Sequence, residues 1–122
     1  MPDTPAFQVY RGASPPRFAH PAELVCARLL DFHGVPWEYE PRTFALERDA
    51  DGRVVEAITP DFYLPEDDVY LEVTAMRQAL VTRKRRKLRK LRARYPEVRV
   101  RLLCRDDLER LAARHGLELG GA

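Results

Sequence analysis

The segment from Thr59 to Thr74 constrains the fold of this chain more than any other. It reads as two short strands, Thr59-Pro60-Asp61-Phe62-Tyr63-Leu64-Pro65 and Val69-Tyr70-Leu71-Glu72-Val73-Thr74, separated by Pro65-Glu66-Asp67-Asp68. The first carries Asp61 at its start, behind a proline, and the second carries Glu72 inside an otherwise apolar run. A charge in a buried strand is costly unless something pairs with it, and a divalent cation is a natural partner. Each residue also has a plainer reading. Pro60 suits the start of an edge strand, Asp61 a turn, and Glu72 the solvent side of a half-exposed strand.

The rest of the chain supplies elements to pack around this pair. At 122 residues it is expected to form one domain with a modest core. Residues 1–19 are rich in proline (Pro2, Pro5, Pro15, Pro16) and read as an N-terminal arm, ordered by contact with the body or a partner. A folded unit over 20–122 follows. A helix is expected from Pro21 to about His33, with proline at its first position and Gly34 as the left-handed stop. Trp37-Glu38-Tyr39-Glu40 and Thr43-Phe44-Ala45-Leu46 alternate as strands do, and Asp49-Ala50-Asp51-Gly52 reads as a hairpin turn into Arg53 to Ile58.

After the carboxylate strands come a loop from Ala75 to Val81, a helix from Thr82 to Tyr95 stopped by Pro96, and a strand from Val98 to Leu103. Asp106 and Glu109 are spaced as a capping box for a last helix ending near Gly116. The fold class expected is α/β, a mixed β-sheet flanked by helices.

Composition narrows the functional classes. An apolar fraction of 45% and a charged fraction of 33% are those of a globular protein, and the apolar runs are too short to span a bilayer. The N-terminus carries no charged-then-apolar signal pattern, and Cys26 and Cys104 make neither a disulfide framework nor a short-spaced metal pair. A cytoplasmic location is the expectation. His20, His33 and His115 are scattered without zinc spacing.

The net charge of +2 hides an asymmetry. Nine of the twelve residues from Arg83 to Arg94 are Arg or Lys, so the remainder of the chain carries −7. Arg83, Arg85, Arg86, Lys87, Arg89 and Lys90 fan over the exposed side of the helix as candidate phosphate contacts, with Arg92 and Arg94 beyond them. A solvated helix face is the alternative, but like charges this dense repel one another with no interleaved acid to relieve them. A polyanion that also needs a metal ion would suit both parts of the chain.

Pro60-Asp61 followed by Glu72-Val73-Thr74 resembles the motif of the PD-(D/E)XK nuclease superfamily. The layout is similar too: a helix bearing Glu23, a Trp37-Glu38-Tyr39 strand, the two motif strands, then a helix and a strand, over about residues 20–105. It looks most like the small members related to Holliday junction resolvases, transposon end-cleaving nucleases and very-short-patch repair endonucleases. The resemblance implies a restriction-endonuclease-like fold and hydrolysis of phosphodiester bonds, DNA being the expected substrate, with Mg²⁺ or Mn²⁺ as cofactor. It makes Asp61 and Glu72 metal ligands, joined by the Val73 carbonyl and, by position, Glu23. A first-turn glutamate favoured by the helix dipole is the other reading of Glu23.

The chain departs from the family at Thr74, where the motif has a lysine that positions or activates the attacking water. A threonine hydroxyl can hold a water but brings no charge. On a helical wheel Lys84 lies within about 60° of Leu88, as do Val81, Leu91 and Tyr95. It therefore faces the sheet and is the candidate replacement, lysines relocated to this helix being known in the superfamily. A stem snorkelling past the core is the alternative. Gln78 is a further polar candidate. The rival readings are a nucleic-acid-binding module that has lost catalysis, and an interaction protein docking through its basic helix. Cutting both strands with a domain this small would call for a homodimer.

Overall fold

The computed structural model describes residues 7–74 and 82–114. Residues 1–6 of the arm, the expected loop 75–81 with Gln78 and Val81, His115 and the expected stop at Gly116 lie outside the described residues. The elements in order are α1 (Pro21–Phe32), β1 (Glu38–Tyr39), β2 (Phe44–Arg48), β3 (Val54–Ile58), β4 (Phe62–Leu64), β5 (Val69–Val73), α2 (Thr82–Arg94), β6 (Val100–Leu103) and α3 (Arg105–Arg114).

The strands form two sheets. β1, β4, β5 and β6 make a mixed four-stranded sheet in that order, antiparallel except for the parallel β5–β6 pair, while β2 and β3 pair as a separate hairpin. One continuous mixed sheet is the sequence expectation; the hairpin departs from it because Phe44, Leu46 and Ile58 turn their apolar side onto α2 and not into the four-stranded ladder. Irregular pairing around Ala45–Arg48 bends the hairpin as it does so.

β5 is buried along its whole length and separates two cores. Its alternation sends Val69, Leu71 and Val73 toward α1 and α3, where they meet Val25, Leu29, Trp37, Phe62 and Leu108. Tyr70 points the other way, into a cluster with Phe44, Ile58, Leu88, Leu91 and Val100. The resulting layers are α1 with α3, the sheet, and on its other face α2 with the β2–β3 hairpin, whose Phe44 meets Tyr70 of β5.

Helix ends follow their local chemistry. His20 caps α1 by accepting the Ala22 N–H on Nδ1 at 3.1 Å, with Pro21 at the first position. Gly34 ends it with φ +67°. Gly34→Ala is expected to lower stability by about 1 kcal/mol, read as a fall in melting temperature, because a β-carbon opposes that left-handed backbone. An unchanged melting temperature would remove the stop from the account.

α3 begins two residues earlier than expected. Its N-cap is Cys104, whose N–H is met by Asp107 Oδ2 at 2.8 Å, so Asp107 is the reach-back carboxylate and Asp106 lies inside the first turn. The described part of the arm lies on the body. Asp31 accepts the N–H groups of Gln8 and Val9, and Phe7, Tyr10 and Phe18 pack around Trp37. Among the described residues no helix is long and apolar enough to cross a membrane.

Candidate active site

The β4–β5 register runs Phe62 against Leu71 and Tyr63 against Tyr70, and one further step sets Asp61 opposite Glu72. The same alternation that turns Tyr63 and Tyr70 toward α2 turns both carboxylates there. Each is 7% exposed. Asp61 Oδ2 accepts the Val73 N–H at 2.8 Å, and the Asp61 carbonyl accepts the Glu40 N–H at 2.8 Å, so both sides of this residue are pinned to neighbouring strands.

Burial, and then the Glu72 carboxylate, push the Asp61 carboxyl up to about 8; the Val73 N–H and the Lys84 ammonium pull the other way without offsetting them. Glu72 Oε2 accepts from Lys84 Nζ at 2.9 Å, while Glu72 Oε1 is buried with no hydrogen-bond partner. A buried oxygen left so costs on the order of 1–3 kcal/mol. Two crowded carboxylates, one with an unpartnered oxygen, fit a hard divalent cation, which binds through oxygen and leaves water on its open positions.

Lys84 reaches this point from the first turn of α2. Besides Glu72 it donates to the Val73 carbonyl at 3.2 Å, so its ammonium lies against a side chain and a backbone oxygen of the same strand end. Leu88 and Leu91 are buried, and Lys84 on their side of the helix points at the sheet. Thr74 follows directly, 4% exposed, its N–H donated to the Leu103 carbonyl at 2.9 Å.

Glu23 is also buried, at 7% exposure, which a helix-dipole residue in solvent would not be. Its Oε1 accepts the Tyr39 hydroxyl at 2.6 Å and the Ala19 N–H at 3.1 Å. Among the described residues no three His, Cys, Asp or Glu side chains converge as a ligand set, so Glu23 stands beside the Asp61–Glu72 pair, tied to Tyr39. Burial, and then that bond to Glu23, push the Tyr39 hydroxyl above its ordinary range. Tyr39→Phe is expected to destabilise the protein by about 1.5 kcal/mol in urea unfolding. A cost near zero would show that Ala19 alone satisfies Glu23.

The basic residues of α2 divide by face. Arg83, Lys84 and Lys87 line a cleft of about 510 Å³ together with Glu72 and Ala57–Thr59. Lys87 donates to the Ala57 carbonyl at 3.2 Å. Lys90 is held by Glu47 and by Glu56, the latter at 2.6 Å, and so fastens the hairpin to α2. Arg86 and Arg89 are exposed, and Arg85 is exposed on the flank of α2 toward β6.

Two residues of this neighbourhood are not among the sequence candidates. Tyr39 could have been found as the polar end of a strand facing the Glu23 helix. Glu40 has a left-handed backbone at φ +48°, uncommon outside glycine, and burial followed by the Glu23 and Glu72 carboxylates raises its carboxyl. No local signal in the sequence marks it. Cys26, buried behind the pair, is kept a thiol by burial and then by Asp61 and Glu23.

No protein-family model, curated protein or solved structure matches this chain.

Proposed function

We propose that this chain is a metal-dependent nuclease of the restriction-endonuclease-like type, acting on DNA. The observation that carries the reading is Lys84, whose ammonium lies 2.9 Å from Glu72 Oε2 and 3.2 Å from the Val73 carbonyl. It brings from α2 the positive charge that Thr74 lacks, to the strand end where the motif requires it.

In this reading Asp61, Glu72 and the Val73 carbonyl would hold Mg²⁺, which when bound polarises the phosphodiester and lowers the pKa of water. The chain's own groups do the rest. The Val73 N–H fixes Asp61 through its Oδ2, leaving Oδ1 as the donor for the cation. Lys84 contributes charge stabilisation at the phosphate, and Arg83 and Lys87 in the same cleft hold the backbone.

A second reading has an observation of its own. Lys84 already engages two of the oxygens the metal would use, and a site neutralised by an internal cation can persist without metal. That arrangement suits a binding module of the same architecture with catalysis lost.

Incubating labelled linear, branched and single-stranded DNA with the protein in Mg²⁺, Mn²⁺ or EDTA separates the two. Metal-dependent cutting supports the nuclease. Salt-dependent binding by folded protein without cutting supports the binding module and overturns the nuclease.

A further inference from the structure

A second basic concavity lies on the opposite flank of α2 from the Glu72 cleft. It runs along β6, the edge strand of the four-stranded sheet, and has a volume of about 450 Å³. Arg85 and Arg92 enter it from α2, Arg101 from β6, and Arg110 and Arg114 from α3. Among the described residues the lining contains a single acid, Asp107, and its two oxygens are already engaged, Oδ1 by Arg110 at 2.7 Å and Oδ2 by the Cys104 N–H at 2.8 Å. Arg92 is fixed in place by donating to the Val100 carbonyl at 3.0 Å.

Five guanidinium groups against one carboxylate in a shared groove repel one another, and the internal bonds of Arg92 and Arg110 do not account for gathering the other three. Guarding an open sheet edge against pairing with another chain needs no such number, since isolated charges on an edge serve that purpose. Guanidinium forks match phosphate oxygens in pairs, so a run of phosphates relieves the repulsion and satisfies the donors together.

The position of the groove says which phosphates. Arg85 is the residue after Lys84, and β6 lies in parallel register with the site strand, Leu102 beside Glu72 and Leu103 beside Val73. A backbone leaving the Glu72 cleft over the first turn of α2 therefore enters the arginine groove.

We infer that this groove is a second DNA-backbone site, and that bound DNA straddles α2. One stretch of phosphates lies at Arg83, Lys84 and Lys87, and the other at Arg85, Arg92, Arg101, Arg110 and Arg114. This rests on the nucleic-acid reading above but adds residues from β6 and α3 that the basic helix alone does not include.

The test is fluorescence anisotropy of a labelled DNA duplex in EDTA, from about 50 to 200 mM salt. The proteins compared are wild type, Arg101→Gln/Arg114→Gln, Arg101→Lys/Arg114→Lys, and a charge-matched control, Arg11→Gln/Arg53→Gln, on exposed residues outside the groove. The groove pair changed to Gln is expected to bind about tenfold more weakly, with a log–log salt slope shallower by about 2. The control keeps wild-type affinity and slope. The Lys pair recovers most of the slope, which separates lost charge from lost folding.

If the Gln pair binds like wild type while wild type binds and cuts DNA, the groove is overturned and the nuclease reading stands. If the control weakens binding as much as the Gln pair, general charge and not the groove governs affinity, and the groove is again overturned. If wild type binds no DNA, both fall.

Discussion

Asp61→Asn is expected to reduce metal-dependent cleavage by roughly 10³-fold and, in the same protein without metal, to increase stability. Both effects have one origin. In the proposed reading the two carboxylates are held close together under burial to bind a cation, and without the cation their proximity is unfavourable. Asparagine keeps an acceptor for the Val73 N–H, now made at 2.8 Å by Asp61 Oδ2, so the strand contact survives. The charge does not.

The pH dependence has a definite sign. In the folded chain the Asp61 carboxyl titrates near 8 against 3.8 for an ordinary aspartate, so the folded state binds this proton more tightly than the unfolded state does. The stability it contributes is fully present below the unfolded value and is lost as pH rises through the folded one. Metal-free wild type should therefore lose stability between about pH 4 and about pH 8 from this group, and Asp61→Asn should not. At the upper end the variant is expected to be the more stable protein, by several degrees in melting temperature. Melting curves in EDTA over that range check it. Parallel pH profiles for the two proteins would mean that the carboxylates are not in conflict.

The second large effect is at Lys84. Lys84→Met is expected to lower cleavage by roughly 10²-fold or more, because in the proposed reading it removes the positive charge nearest the scissile phosphate. It is also expected to tighten the binding of Mn²⁺, since Glu72 Oε2 and the Val73 carbonyl no longer face an ammonium at 2.9 and 3.2 Å. Without metal, Glu72 Oε2 loses its partner while Oε1 already has none, and the variant should be less stable than wild type by about 2 kcal/mol. Added Mg²⁺ should then raise its melting temperature more than that of wild type. Equal Mn²⁺ affinity in the two proteins would show that Lys84 does not compete for those oxygens. Cutting that survives the substitution would assign the compensating charge to another residue.

How much of this was legible beforehand varies with the distance over which each feature is decided. Period-two alternation in 59–74 and a wheel over 82–95 are local properties, and they were enough to aim Asp61, Glu72 and Lys84 at the same layer of the fold. Proline and glycine at the ends of α1 act within one turn, so its limits were readable to within a residue. The capping of α3 differs from its expectation because Asp106 with Glu109 and Cys104 with Asp107 share one three-residue spacing, and only the backbone at Cys104 selects the second pair.

The basic run shows the other limit. Nine positive charges in one helix are obvious in the sequence, but their partners are not. Lys90 pairs with Glu47 and Glu56, more than thirty residues away, and Lys87 meets the Ala57 carbonyl, because the hairpin folds over α2 and not into the sheet. Arg101, Arg110 and Arg114 share a groove with Arg85 only because α2 and α3 flank the same edge strand. Glu23 is readable as a first-turn residue of α1, yet its bond to Tyr39 depends on where β1 docks.

The sequence by itself determined the order of elements, the two carboxylates facing one layer, and a lysine on the apolar side of the following helix. Each follows from backbone periodicity and short-range sterics. The tertiary structure decided which charges meet: Lys84 with Glu72, Lys90 with the hairpin, and five arginines along β6. Those meetings join residues far apart in the chain, and their energies depend on burial and on distances of a few ångströms that no local pattern encodes.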